Sequence, residues 1–182
     1  RADDNGVPSD LVVTYYTQRA SAGLIVTEGA FPSAMGKGSV RTPGIATEEQ
    51  IAAWEKVTEK VHAKGGHIFM QIMHCGRISH PSMLPNAVLP VAPSAIKPTG
   101  QTWTGTGLQE FVTPRELTLD EIADVINEFR MATRRAIEAG FDGVELHTAS
   151  GYLPEQFLSS GSNQRQDRYG GSVENRARFV LE

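Results

Sequence analysis

Apolar positions along this chain recur with a period near 3.6 in some stretches and near 2 in others, and each change of period marks a new element. Residues 8–22 predict a helix, opened by Pro8 and Ser9, with Leu11, Tyr15 and Ala22 at helical spacing. Residues 24–31 (LIVTEGAF), β-branched and apolar between Gly23 and Pro32, predict a buried strand. Residues 47–64 predict a second helix. Thr47 is its N-cap, residues 48–50 its first turn, Ile51, Trp54, Val57 and Val61 its apolar stripe, and Gly65 its stop. Residues 67–73 (HIFMQIM) predict another strand. Residues 118–139 predict a long helix with a Thr118/Glu121 capping box, one face of Ile122, Val125, Ile126, Phe129 and Ala136, and Gly140 at its end. A third strand follows over 144–147, then a polar, glycine-rich connection, then a helix capped by Ser172 that runs through Leu181. Alternating helices and strands predict an α/β fold with parallel strands and right-handed crossovers.

Residues 77–114 break this rhythm. They are rich in Pro, Gly, Ser and Thr and lack a sustained period, so an ordered excursion with short strands is expected there. The 182 residues are 40% hydrophobic and 21% charged, enough to bury a core, and a single domain over residues 1–182 is expected. A net charge of −4 without a Lys/Arg run speaks against a nucleic-acid partner. No apolar run reaches the ~18 residues of a membrane span, and the first residues lack the apolar region of a signal peptide. Cys75 is the only cysteine, so intrachain disulfides are excluded and a cytoplasmic location is expected.

Strand periodicity sorts the candidate chemistry. In the third strand Val144 and Leu146 share one face, expected against outer helices, and Glu145 and His147 share the other, expected toward the interior. Gln71 is a polar amide in an otherwise apolar strand. It needs a partner, whether a bound heterocycle, a neighbouring side chain or the backbone, because an unpaired buried amide costs about 1–3 kcal/mol. His147 reads as a hydrogen-bond donor or a structural core histidine; with no second ligand at metal spacing, a metal role is not expected. Tyr152, beyond the strand end, reads as a proton donor or as a ring packed under the loop. His74 and His80 flank Cys75, Gly76 and Arg77, but the spacing fits no common zinc pattern, and Cys75 reads as an inert small hydrophobe. Arg165, Asp167, Arg168, Glu174 and Arg176 predict a solvated ion-pair network pinning the loop to the last helix. Gly170 and Gly171 predict a turn before Ser172, too short for a phosphate loop.

The stretch HTASGYLPEQFLSSGSNQRQDRYGGSVENRARFVLE closely resembles the Old Yellow Enzyme family of FMN-dependent ene-reductases. So do QIMHCGRISHPSMLPN, LPVAPSAI and FVTPRELTLDEI, in the same order. The similarity runs the length of the chain and is strongest to bacterial reductases of N-ethylmaleimide, nitrate esters and α,β-unsaturated carbonyls. It implies a TIM (β/α)8 barrel with FMN at its C-terminal mouth and NAD(P)H as reductant. Carried over by motif, Gln71 would bond the flavin pyrimidine edge, and Gly29 would bring its backbone close to the flavin. His147 would donate to the carbonyl or nitro oxygen of an activated alkene, and Tyr152 would protonate the α-carbon. The family's usual oxygen-binding pair is His-x-x-Asn or His-x-x-His. Here Ser150 stands at the second position, which implies weaker activation by about 1–2 kcal/mol. Many relatives carry Trp where Met73 stands, which implies a softer wall that admits bulkier substrates.

Such a barrel has eight strands and about 250 residues. Only three strands are predicted here. The resemblance therefore implies strands 2–4 with flanking helices, with the first strand and the C-terminal half absent. A complementary chain or segment is expected to supply the rest, and the activity to belong to the assembled protein. Two other readings stand beside this one: a catalytically incomplete half-barrel without flavin, and part of an iron–sulfur, dienoyl-CoA reductase-type relative. The His147/Tyr152 pattern and the stretch HCGRISHP favour the FMN-only branch.

Overall fold

The computed structural model describes all 182 residues. In chain order the elements are α1 (Asp10–Thr17), β1 (Leu24–Ala30), α2 (Glu48–His62), β2 (His67–Ile72), β3 (Val91–Ala92), β4 (Gln101–Trp103), β5 (Leu108–Glu110), β6 (Arg115–Glu116), α3 (Leu119–Glu138), β7 (Gly143–Leu146), α4 (Leu153–Leu158) and α5 (Val173–Leu181). They divide into two compact units. One comprises Arg1–Ser33, Arg41–Met73 and Phe129–Leu146. The other comprises Ala34–Val40, His74–Glu128 and His147–Glu182.

The first unit is built on a parallel sheet in the order β1-β2-β7. Alternation along β2 buries Ile68, Met70 and Ile72 completely and leaves Phe69 and Gln71 half-open on the other face. Helix α2 supplies Ile51, Trp54, Val57 and Val61 to the core, the stripe its sequence predicts. Trp54 donates its indole N–H to the Gly44 carbonyl at 3.0 Å and packs edge-on against Phe141. The capping box of α2 forms between Thr47 and Gln50; that of α3, between Thr118 and Glu121 at 2.8 and 3.3 Å, belongs to the second unit. Thr58, buried in α2, donates to the Ala139 carbonyl at 2.6 Å and so ties the C-terminal end of α3.

Three expectations change in this unit. Helix α1 is shorter than predicted, ending at Thr17 before a separate 3-10 turn over Ala20–Ala22. Its inward face is Val12 and Tyr16, not Leu11 and Tyr15; Leu11 is 78% exposed, and Arg19 stacks over the Tyr15 ring. Tyr16 is drawn inward because its hydroxyl accepts the Glu28 amide at 2.9 Å. Strand β1 is buried on one face only. Ile25 and Thr27 point in, Leu24 and Val26 point out, and one extra β1 residue is accommodated between Val26 and Gly29 as a bulge. In β7 both faces are open. Leu146 is 41% exposed and Glu145 is exposed, because the strand has β2 on one side and no strand on the other.

The second unit holds the excursion over 77–114, with the parallel pair β3/β6 and the hairpin β4/β5. Its core contains Leu153, Phe157, Tyr169 and Phe179, with the Phe157 and Phe179 rings stacked at 4.2 Å. Helix α4 replaces part of the predicted polar connection: Pro154 sits in its first turn, and Leu153, Pro154, Gln156 and Phe157 are buried. The predicted solvated network is instead centred on a buried cation. The Arg165 side chain is 4% exposed and bonds the Pro93 and Leu117 carbonyls, Asp167 and Glu116. It ties its loop to the ends of β3 and β6, not to the last helix. That helix is reached by Arg176, which bonds the Leu158 and Gly171 carbonyls. Arg178 completes the link by bonding the Arg168 carbonyl. Gly170 lies so close to the Arg165 backbone that a β-carbon would collide with it.

Candidate functional site

In the first unit, the C-terminal ends of the parallel strands carry Gly29, Gln71 and Glu145. Gln71 and Glu145 are Cα partners on adjacent strands, and Gln71 Nε2 donates to Glu145 Oε1 at 2.7 Å. Of the three kinds of partner open to Gln71, the structure supplies a neighbouring side chain. The β1 bulge adds a second tie: Thr27 Oγ1 accepts the Gln71 backbone N–H at 3.0 Å and donates to the Glu28 carbonyl at 2.8 Å. A β-carbon at Gly29 would lie 2.7 Å from Met73 Sδ, so a side chain there would have to displace Met73. Gly29, Gln71 and Met73 are all partly open to solvent.

In the second unit, His147 follows β7 directly and a tight turn returns the chain. Tyr152 N–H bonds the Ala149 carbonyl at 3.2 Å, with Ser150 (φ 60°) and Gly151 (φ 79°) both at positive φ, the pattern of a type I′ turn. This turn brings the His147 and Tyr152 rings together edge-to-face, centroids 4.8 Å apart. His147 Nδ1 accepts the Ala149 N–H at 3.3 Å, so the neutral ring carries its proton on Nε2 and presents a donor. Desolvation by burial, with a smaller contribution from Cys75, raises the Tyr152 phenol above its ordinary value, so it stays protonated at neutral pH. Ser150 is exposed at the turn.

A buried amide holds this turn in place. Gln156 on α4 donates to the Gly151 and Cys75 carbonyls at 2.7 and 3.0 Å and accepts the Arg77 N–H at 3.2 Å. It thereby clamps the turn to the segment after β2, which also bonds Leu153 N–H through the His74 carbonyl. The sequence pattern indicates neither this clamp nor the Gln71–Glu145 pair. The buried LPEQFL stretch with proline in its first turn was the available signal for α4. Cys75 is buried and its thiol is pushed up to about 12 by desolvation, which fits an inert hydrophobe. Burial drives His74 down to about 4, so it is neutral at pH 7. No group of three or more His, Cys, Asp or Glu side chains is placed to hold a metal ion. No helix is long and apolar enough to cross a membrane.

The model of the NADH:flavin oxidoreductase / NADH oxidase family matches residues 1–182. The chain is 46% identical over 187 residues to a protein of Leishmania infantum named "Probable flavin mononucleotide-dependent alkene reductase", covering 100% of this chain and 51% of that one. Among solved structures, morphinone reductase in complex with tetrahydroNAD is 49% identical with a TM-score of 0.94, covering 98% of this chain and 51% of that one. The old yellow enzyme homologue from Zymomonas mobilis is 42% identical with a TM-score of 0.96, covering 99% and 50%. The chain thus spans about half the length of the relatives it matches. The α/β fold expected from the sequence, part of a TIM barrel, agrees with these neighbours.

Proposed function

Because the chain belongs to the NADH:flavin oxidoreductase / NADH oxidase family, we propose that it carries the substrate-activating residues of an FMN- and NAD(P)H-dependent ene-reductase. The substrates are activated C=C bonds of α,β-unsaturated carbonyl, maleimide or nitro compounds. The rest of the barrel comes from a complementary segment, and activity belongs to the assembly. The observation that carries the reading is the His147/Tyr152 pair: one fixed N–H donor and one protonated phenol, set side by side by a four-residue turn.

Bound FMN supplies the hydride. His147 Nε2–H polarises the substrate oxygen and stabilises the charge that develops on it, a contribution worth on the order of 10²–10³ in rate for one well-aimed donor. Tyr152 delivers the proton to the α-carbon, a step worth roughly 10²–10⁴. Ser150 adds one short hydroxyl donor, and Met73 lines the substrate. Gln71 and Gly29 fit the flavin. The Gln71 amide has a free acceptor and a second N–H after bonding Glu145, the donor–acceptor pair that a pyrimidine edge requires.

The test is a visible spectrum of the purified protein, with every chain it assembles with, before and after anaerobic NADPH or NADH. Flavin bands that bleach and return on addition of 2-cyclohexenone support the reading. A colourless protein that takes up no added FMN overturns it and leaves a half-barrel without turnover.

A further inference from the structure

We propose that Glu145 is a positioning residue for the cofactor edge: it sets which way the Gln71 amide faces and thereby what that amide offers to flavin. The inference rests on the reading of Gln71 as a flavin-binding residue and goes one step behind it.

A glutamine amide is nearly symmetric in shape and opposite in chemistry at its two ends, so its two flip states present inverted hydrogen-bond patterns. A glutamine on an open strand face has no intrinsic reason to prefer one. Here the preference has a physical source. Gln71 and Glu145 are opposed across the parallel β2/β7 pair, and 2.7 Å separates Gln71 Nε2 from Glu145 Oε1. A carboxylate only accepts, so the nitrogen end of the amide must face it; the reversed flip would set two acceptor oxygens against each other. With one N–H committed, the amide is left with Oε1 and its second N–H. That is complementary to a ring edge carrying a carbonyl beside an N–H, as an imide does.

The backbone beneath is held as well. The Gln71 N–H is taken by Thr27 Oγ1 at the β1 bulge, which fixes the strand register under the side chain. Glu145 is exposed, and α3 and the loop after it place no cation against it; Asp142 of that loop pairs instead with His62 at the end of α2 and His67 at the start of β2, at the opposite ends of the strands. The Glu145 carboxylate takes its hydrogen bond from Gln71. A surface bond of this kind adds little to stability in water. Its value arises when a ligand covers it, because the amide is then already turned the right way and does not have to be reoriented on binding.

The test uses the assembled protein stripped of FMN and titrated with FMN, followed by fluorescence, together with the flavin midpoint potential of the reloaded protein. Glu145→Met has similar length, no charge and only a weak thioether acceptor, and is expected to weaken FMN binding about tenfold. Glu145→Gln can still accept through its Oε1 and is expected to stay within about twofold of the parent. In Gln71→Ala the Glu145→Met change is expected to add nothing, since Glu145 acts only through the amide. Three results overturn the proposal: unchanged FMN affinity and midpoint potential in Glu145→Met, equal losses in Met and Gln variants, or full additivity with Gln71→Ala. If Gln71→Ala itself leaves FMN affinity unchanged, the reading of Gln71 fails, and the proposal with it; loss in Gln71→Ala with none in Glu145→Met sinks the proposal alone.

Discussion

A phenol and an imidazole 4.8 Å apart divide the proposed chemistry between them, and they are separable by experiment. Tyr152→Phe keeps the ring and removes the proton. It is expected to leave flavin reduction by NAD(P)H within about twofold and to slow alkene-dependent reoxidation by at least ~10², as read by stopped-flow absorbance of each half-reaction. Ser150 sits at φ 60°, a conformation in which asparagine is several-fold enriched among non-glycine residues. Ser150→Asn should therefore be accepted by the turn. It is expected to raise turnover about 5–30-fold by adding the longer donor, equivalent to ~1–2 kcal/mol; unchanged or lower steady-state turnover counts against that. His147 and Tyr152 were legible as candidates from their place after a strand, and the roles proposed for them came from the family resemblance. The orientation of His147 was not legible, because it depends on a backbone N–H two residues on, reached only through the turn.

At the scale of elements, legibility follows the range of the forces. Helices α2 and α3 announce themselves because capping boxes, stripes and closing glycines are all local. The inward face of α1 does not, since Leu11/Tyr15 and Val12/Tyr16 are equally apolar pairs and the choice is made by Glu28, twelve residues away. Arg165 is illegible for the same reason, its carbonyl partners lying 48 and 72 residues distant. Two tests belong here. Gln156→Leu removes three bonds from a buried position and leaves the Gly151 and Cys75 carbonyls without their partner. It is expected to cost about 2–4 kcal/mol in chemical denaturation and to broaden the amide signals of the turn at Gly151. At the other end of the strands, burial alone would raise the Asp142 pKa, but hydrogen bonds from His62, the Ile68 amide and His67 outweigh it and lower it to about 2. The folded value lies below the ordinary unfolded value near ~4. The stability this carboxylate contributes is therefore complete above about pH 4 and is lost as pH falls toward 2. Asp142→Ala is expected to cost ~1 kcal/mol at pH 7, and the gap from the parent should close below pH 3 in urea titrations. A gap that persists at pH 2 would show that the carboxylate charge is not involved.

At the scale of the molecule, the alternation of elements identified the α/β class, and the resemblance identified the barrel. The division into two compact units was not legible, because each draws on segments far apart in sequence. In the first unit, the outer strands β1 and β7 expose Leu24, Val26 and Leu146, and each lacks a neighbour on one side. The 182-residue chain by itself is expected to self-associate at micromolar concentration, seen as a concentration-dependent sedimentation coefficient. Co-production with a segment of the kind proposed to supply the adjoining strands should abolish that dependence. A monomer at all concentrations would mean the edges are protected by other means.

Gly76 and Gln156 carry a consequence for how this chain can change over time. A β-carbon at position 76 would fall on the side-chain oxygen of Gln156, and the φ of 57° at Gly76 penalises most side chains independently. Position 156 is in turn held by three bonds that no other residue type of that size can reproduce together. Neither site drifts freely alone: a side chain at 76 would push the Gln156 amide out of its bonds, and a lineage that discards the glutamine gives up the clamp on the turn that carries the proposed acid. The two positions, 80 apart in sequence, should therefore be inherited as one character, and the pair is a sharper marker of lineages that retain this turn than either residue by itself.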